Sequence, residues 1–141
     1  MMPHEYLDQI REPGQTVNPL FTFLGIEVVD LTPDRATLHL LVKPELIQGA
    51  GVGAGGVCAT LLDEAMAHAV LGGNNPGELT STIDMNVSYF RPVSRGDLLT
   101  CRARVAKRGK RVVFAEAVVS VDGNEAAKGS ASFMILQAPD V

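Results

Sequence analysis

At 141 residues the chain has the size of one ordinary domain and is too short for two well-cored ones. Hydrophobic residues make up 46% and charged residues 20%, which argues against disorder, and a net charge of −4 argues against a nucleic-acid partner held mainly by electrostatics. Cys58 and Cys101, each inside an apolar run, read as buried thiols of a reducing compartment rather than as a disulfide. No basic-then-apolar leader pattern and no apolar run of roughly 18 residues is visible, so the expected compartment is the cytoplasm, with no membrane span.

In chain order, residues 4–12 read as a short amphipathic helix with Tyr6, Leu7 and Ile10 on one side, stopped by Pro13-Gly14. Asn18-Pro19 then has the form of a cap with proline at the first helical position, opening a short turn over 20–24. From Gly25 the period changes to two. Residues 26–31 and 36–42 are strand-like, separated by the turn chemistry of Thr32-Pro33-Asp34-Arg35, with Ala36, Leu38, Leu40 and Val42 on one face. Pro44 ends the second run.

A glycine-rich stretch, 48–56, runs into 57–71, which is apolar on most sides and free of proline and glycine. At about 100° per residue, Cys58, Leu61, Leu62, Ala65, Met66 and Ala69 cover a broad arc, so this helix expects to be wrapped by something. Gly72-Gly73-Asn74-Asn75-Pro76-Gly77 closes it. The remainder reads as strands over 80–90, 97–107, 111–121 and 126–136, with Asp122-Gly123 marking a hairpin. The order implies an α+β domain over 1–141 in which a curved antiparallel sheet folds around one long central helix. Residues 1–18 form an N-terminal helical extension and 19–136 the core. One sheet on one helix leaves an edge and a face uncovered, for which self-association is the expected remedy.

Three segments carry a family resemblance. Residues 53–67, from Gly53-Ala54-Gly55-Gly56 to Asp63-Glu64-Ala65-Met66-Ala67, resemble the glycine-pair-to-helix motif of the hot-dog-fold thioesterase superfamily. Residues 82–93, ending Tyr89-Phe90-Arg91-Pro92-Val93, resemble the strand after that helix, and Lys107-Arg108-Gly109-Lys110-Arg111 resembles its basic turn. The sequence is thereby identified with the PaaI-like (phenylacetate-degradation) acyl-CoA thioesterase branch. The resemblance implies a hot-dog homodimer, paired into a dimer of dimers (a homotetramer), that hydrolyses an aromatic or medium-chain acyl-CoA without a cofactor.

Hydrolysis of a thioester needs a polarised carbonyl, an activated nucleophile and a place for the carrier. Gly55 and Gly56 lie where a loop becomes a helix, so their amides can bind a developing oxyanion; they can equally serve only to pack the helix start. Asp63, eight residues on, is a carboxylate in an apolar helix, costly unless it faces a cavity or finds a partner, and it is the preferred base or nucleophile. Glu64 is its rival. It shares a stripe with Thr60 and His68, where a Glu64–His68 pair at i, i+4 reads as an ordinary exposed or subunit-contact ion pair.

The resemblance implies that Gln48 positions water or thioester, that the Thr82 hydroxyl orients the water, and that amide and glycine come from one subunit and the carboxylate from the other. Gln48 bonding its own loop, and Thr82 as a pleat residue, are the plain alternatives. Ala54 departs from the family, many of whose members carry His there, and this bears on substrate identity. Arg91, Arg95, Lys107, Arg108, Lys110 and Arg111 form the candidate basic set for the phosphates of coenzyme A. No metal-ligand spacing, catalytic-triad pattern or phosphate loop is present in the sequence. A non-catalytic acyl-CoA-binding sensor or regulatory protein on the same fold is the alternative function. A hot-dog dehydratase of 3-hydroxyacyl thioesters ranks below it, because the site positions supply no His.

Overall fold

The computed structural model describes residues 1–139. Its elements follow the expected order: α1 (Pro3–Ile10), α2 (Pro19–Leu24), β1 (Ile26–Thr32), β2 (Arg35–Leu41), a 3-10 turn (Pro44–Leu46), α3 (Gly55–Gly73), β3 (Glu78–Tyr89), β4 (Leu98–Arg108), β5 (Val112–Val121) and β6 (Asn124–Gln137). The six strands form one antiparallel sheet in the order β1-β2-β4-β5-β6-β3, so β1 and β3 are its free edges. Two turns use the residues expected of them: Asp122 and Gly123 both take positive φ in the β5–β6 hairpin, and Asp34 does so between β1 and β2.

The sheet wraps α3, whose 19 residues make a rod about 29 Å long. Cys58, Leu61, Leu62, Ala65, Met66 and Ala69 are all buried, which is the arc read from the sequence. What lets the helix lie close is a row of small residues across the strands. Ala36 pairs with Ala103, Ala103 with Ala117, and Ala117 with Gly129. At Gly129 the approach is close: a Cβ would stand 3.3 Å from Leu62 Cδ1 and 3.4 Å from the Asn86 carbonyl oxygen. Larger residues, Leu38, Leu99, Val113, Val119 and Phe133, fill the space either side and are fully buried. Both cysteines are free and buried, and burial pushes the Cys101 thiol up to about 12.

One irregularity sets which side chains of the edge strand face α3. In β3 the register against β6 shifts between Thr82 and Asp84: Thr82 pairs with the inward-facing Phe133, while Asp84 pairs with Ser132 and Met85 with Ala131. The extra residue, Ile83, is a bulge that keeps Thr80 and Thr82 on the helix side of the edge strand and turns Asp84 away from it. Asp84 instead accepts a hydrogen bond from the Ser132 hydroxyl.

Candidate functional site

The N-terminus of α3 is built by the loop that precedes it. Gly53 N–H donates to the Val93 carbonyl (2.7 Å) and Ala54 N–H to the Leu46 carbonyl (3.0 Å), so the loop is bonded on both sides before the helix begins. A Cβ at Gly53 would stand 2.5 Å from Val93 Cγ2, which is why this position takes glycine. Ala54 is the N-cap residue and offers no side-chain acceptor; Val57 N–H turns back to the Ala54 carbonyl at 3.0 Å. The amides of Gly55 and Gly56 therefore find no acceptor among the described residues, and both glycines are exposed. The Tyr89 hydroxyl donates to the Gly55 carbonyl at 2.6 Å, pinning the first turn to the end of β3. These are two free amides at the positive end of a long helix, aimed at solvent.

Gln48 lies in the same loop, but its side chain is folded back: Oε1 accepts from the Ala50 amide of its own turn. This is the plain alternative set out for it above.

Asp63 is half-buried two turns along α3, and Oδ1 accepts a 2.8 Å hydrogen bond from the Thr82 hydroxyl. Asp63 and Thr82 open on a cavity of about 380 Å³ between α3 and the edge strand. Eight residues of helix put Asp63 about 12 Å along the axis from Gly55. Within one chain the carboxylate and the free amides therefore stand too far apart to act on one carbonyl.

Glu64 departs from the sequence-based expectation. It is neither exposed nor ion-paired: its side chain is 21% exposed and lines the same cavity as Asp63. His68 Nδ1 lies 2.7 Å from the Glu64 backbone carbonyl, which can only accept, so Nδ1 carries the proton. Nε2 then accepts from the Tyr6 hydroxyl at 2.7 Å, and that hydroxyl accepts from Asn18 Nδ2 at 2.8 Å. Asn18 is held in this orientation because its Oδ1 caps α2, accepting from Phe21 N–H at 3.1 Å. Burial also keeps the His68 imidazole below its ordinary pKa, against the backbone bond to Glu64 and the charge of Asp63. His68 is thus a neutral, satisfied core histidine, and the 3.7 Å approach of its Nδ1 to Glu64 Oε2 is not an ion pair. The Glu64 carboxyl is pushed up to about 7, first by burial and then by the neighbouring Asp63 charge. Tyr6 and Asn18 come from the N-terminal segment, and sequence reasoning assigned them no place at the site; their only signals were an amphipathic face and a cap.

The basic residues do not form one cluster. Arg91 and Arg95 are exposed just after β3, on the side of the α3 N-terminus. Lys107, Arg108, Lys110 and Arg111 lie around the β4–β5 turn, at the end where α3 stops. Arg108 is already occupied. Its guanidinium donates to the Val70 carbonyl (2.8 Å), to Asn74 Oδ1 (2.7 Å) and to Asp34 Oδ1 (2.8 Å), tying the C-terminus of α3 to the β1–β2 turn. Lys110 and Arg111 instead line an open cavity of about 490 Å³ with Glu78 and the end of β6. Among the described residues no group of three or more His, Cys, Asp or Glu side chains is arranged to hold a metal ion, and no helix is long and apolar enough to cross a membrane.

The chain is similar to known proteins of one family. The sequence matches the family model described as the thioesterase superfamily over residues 50–128, a span that holds Gly55, Gly56, Asp63 and Thr82 but stops short of Gln48, Asn18 and Tyr6. It is 34% identical to a protein of Halobacterium salinarum provisionally named an esterase, the match covering 84% of this chain and 85% of that one. It is 31% identical to human acyl-coenzyme A thioesterase 13, over 74% of this chain and 71% of that one. Among solved structures, a Ralstonia eutropha JMP134 protein described as a thioesterase related to phenylacetic acid degradation superposes with a TM-score of 0.83 at 25% identity, covering 92% of this chain and 98% of that one.

Proposed function

The chain belongs to the thioesterase superfamily, in its PaaI-like branch with the hot-dog fold, and from that membership we propose that it hydrolyses an aromatic or medium-chain acyl-CoA to the free acid and coenzyme A. The observation that carries the reading is the Asp63 carboxylate, held by Thr82 at the rim of a cavity in an otherwise apolar helix. In the proposed reaction Asp63 takes a proton from water as the water oxygen attacks the thioester carbonyl. Negative charge develops on the carbonyl oxygen and is met by the amides of Gly55 and Gly56. The carbon–sulfur bond then breaks, the thiolate takes up the proton, and acid and thiol leave. Thr82 holds the carboxylate in one orientation so that its other oxygen faces the water.

The 12 Å axial separation of Asp63 from Gly55 supports a site made by two copies, the amides from one and the carboxylate from the other. β3 offers the means, a free edge of 12 residues on the strand that carries Thr82. A dimer of dimers follows as the way to cover exposed apolar residues of the outer sheet face such as Phe114 and Met134. Arg91, Arg95, Lys107, Lys110 and Arg111 are the proposed phosphate contacts, and Gln48 would leave its loop bond to meet substrate or water. Free buried thiols fit a reducing cytoplasm.

The test is thiol release from a panel of aromatic, short, medium and long acyl-CoAs, with acyl carrier protein thioesters alongside. Turnover of at least one class, lost in Asp63→Asn, is expected; no release from any thioester overturns the reading. Light scattering of the purified protein reads the oligomer, for which a monomer is the refuting result.

A further inference from the structure

A peptide unit joins the carbonyl of one residue to the amide of the next, so the strength of an amide as a donor depends on what bonds the carbonyl behind it. The Gly56 amide shares its peptide with the Gly55 carbonyl, and that carbonyl accepts a 2.6 Å hydrogen bond from the Tyr89 hydroxyl. The Gly55 amide shares its peptide with the Ala54 carbonyl, which accepts from Val57 N–H at 3.0 Å. Val57 in turn shares its peptide with the Gly56 carbonyl, to which the Thr60 hydroxyl donates at 2.9 Å. Both free amides therefore stand at the end of a hydrogen-bond chain that begins at a hydroxyl. The chain from Tyr89 passes through one peptide and the chain from Thr60 through two.

A donor on a carbonyl draws electron density toward the oxygen and leaves the attached N–H more positive, and bonds in such a chain strengthen one another. Tyr89 is the shorter lever. Thr60 makes the back-bond to the carbonyl four residues before it that is open to any helical threonine, whereas Tyr89 reaches Gly55 across 34 residues of chain, from the end of β3. The phenol proton is committed to this bond, because a carbonyl can only accept. Tyr89 is thereby set apart from a direct donor to substrate. A Cβ at Gly55 would stand 3.4 Å from Tyr89 Cζ and Oη, so the ring flanks residue 55, while nothing lies within 4 Å of the Cβ position of Gly56 and the surface there is open.

We propose that Tyr89 is a positioning residue for the hydrolysis, acting through the Gly55–Gly56 peptide: its hydroxyl fixes the direction of the Gly56 amide and makes that amide a stronger oxyanion donor. The proposal rests on the thioesterase reading for its reaction and on the Tyr89–Gly55 bond for its means. Negative charge gathers on the carbonyl oxygen only as the transition state forms, so the gain falls on kcat and leaves KM where it is. With Thr82 on the carboxylate and Tyr89 on the oxyanion peptide, β3 supports both halves of the reaction.

The experiment removes the donor and then tunes it. In Tyr89→Phe, which keeps the ring, kcat for the acyl-CoA turned over fastest is expected to fall about 5-fold with KM within about 1.5-fold of wild type. A ring-fluorinated tyrosine incorporated at position 89 has a more acidic phenol and so a stronger donor. Its kcat should match or exceed wild type at neutral pH, then drop to the level of Tyr89→Phe as the pH rises and the phenol ionises. Wild type should show no such fall, because burial first and the neighbouring Cys58 thiol second hold its own phenol above the ordinary value. The bond itself is read by NMR on protein made with glycine carrying carbon-13 at the carbonyl and nitrogen-15. Only 55–56 and 72–73 are consecutive glycines, so a carbonyl-to-amide correlation contains two signals. In Tyr89→Phe the Gly55 carbonyl should move upfield, while the 72–73 signal stays in place and reports an intact α3. A 55–56 signal that does not move, a kcat within about 1.5-fold of wild type, a loss carried by KM alone, or a fluorinated variant without the alkaline fall each overturns the proposal, and wild-type turnover then leaves the thioesterase reading standing. No thiol release from wild type overturns both.

Discussion

The Thr82 hydroxyl donates a 2.8 Å hydrogen bond to Asp63 Oδ1, joining the edge strand β3 to the middle of α3 across 19 residues of chain. The bond exists because Ile83 bulges out of the β3–β6 ladder and leaves Thr82 facing the helix. A carboxylate bonded at one oxygen keeps the other free and has its rotamer fixed. Thr82→Val, which keeps the shape and removes the donor, is expected to lower kcat by about 10-fold with little change in KM. Asp63→Asn should lower kcat by about 10³-fold or more. Steady-state thiol release on both variants is the measurement, and full activity in Thr82→Val would show that the bond does not orient the base.

Glu64 gives a pH signature in stability. Its carboxyl is raised from an ordinary 4.5 to about 7, so the folded protein holds this proton more tightly than the unfolded chain does. Its contribution is fully present below about pH 4.5 and is lost as the pH rises through about 7. Glu64→Gln stays neutral throughout. Wild type and Glu64→Gln should therefore unfold alike at pH 5, with wild type falling behind by about 1–3 kcal/mol at pH 8.5. Urea unfolding at the two pH values reads the gap, and a gap that does not widen would mean that Glu64 is solvated in the folded protein.

Arg108 separates staple from ligand. Its guanidinium satisfies the Val70 carbonyl at the end of α3 and pairs with Asp34, 74 residues away. Arg108→Ala should cost about 2 kcal/mol of stability, because a carbonyl and a carboxylate lose a charged donor at once. Lysine at 108 should recover less than half of that, since a point charge cannot reach three acceptors in a fork. KM for the acyl-CoA should be unchanged in Arg108→Ala and raised by about 5-fold or more in Lys110→Glu/Arg111→Glu, if phosphates dock on the β4–β5 turn. Denaturation curves beside KM values decide it.

These residues mark where sequence reasoning reached and where it stopped. The strands and α3 were legible because periods of two and of 3.6 persist over long segments, and a carboxylate in so apolar a helix as α3 stands out as Asp63 does. The ends of elements moved by two residues or so; α3 begins at Gly55 rather than Val57 because glycines at the start of a helix carry no local signal for it. Glu64 does approach His68 as its i, i+4 spacing suggests, but it is largely covered, and a helical wheel does not show what covers a stripe. Tyr6 reaches His68 across 62 residues of chain, and no spacing rule relates the two. Arg108 was grouped with its sequence neighbours because strand order, not composition, brings Asp34 to it.

Ala54 offers a way to set stability against chemistry at the start of α3. As N-cap it supplies no acceptor, and the Gly55 and Gly56 amides are left without one among the described residues. Asp at an N-cap accepts from the second or third helical amide and complements the helix dipole, for about 1 kcal/mol over alanine. Ala54→Asp is therefore expected to raise Tm by about 2–4 °C. The same carboxylate would occupy the Gly56 or Val57 amide and set a negative charge beside the position of the developing oxyanion, so kcat should fall by about 10²-fold. Ala54→Ser, which caps without a charge, should gain less stability and lose less rate. A thermal melt and a thiol-release assay on the same preparations test the pair of outcomes. If Ala54→Asp gains stability and keeps full activity, the free amides of α3 are not the oxyanion donors and the carbonyl must be polarised elsewhere.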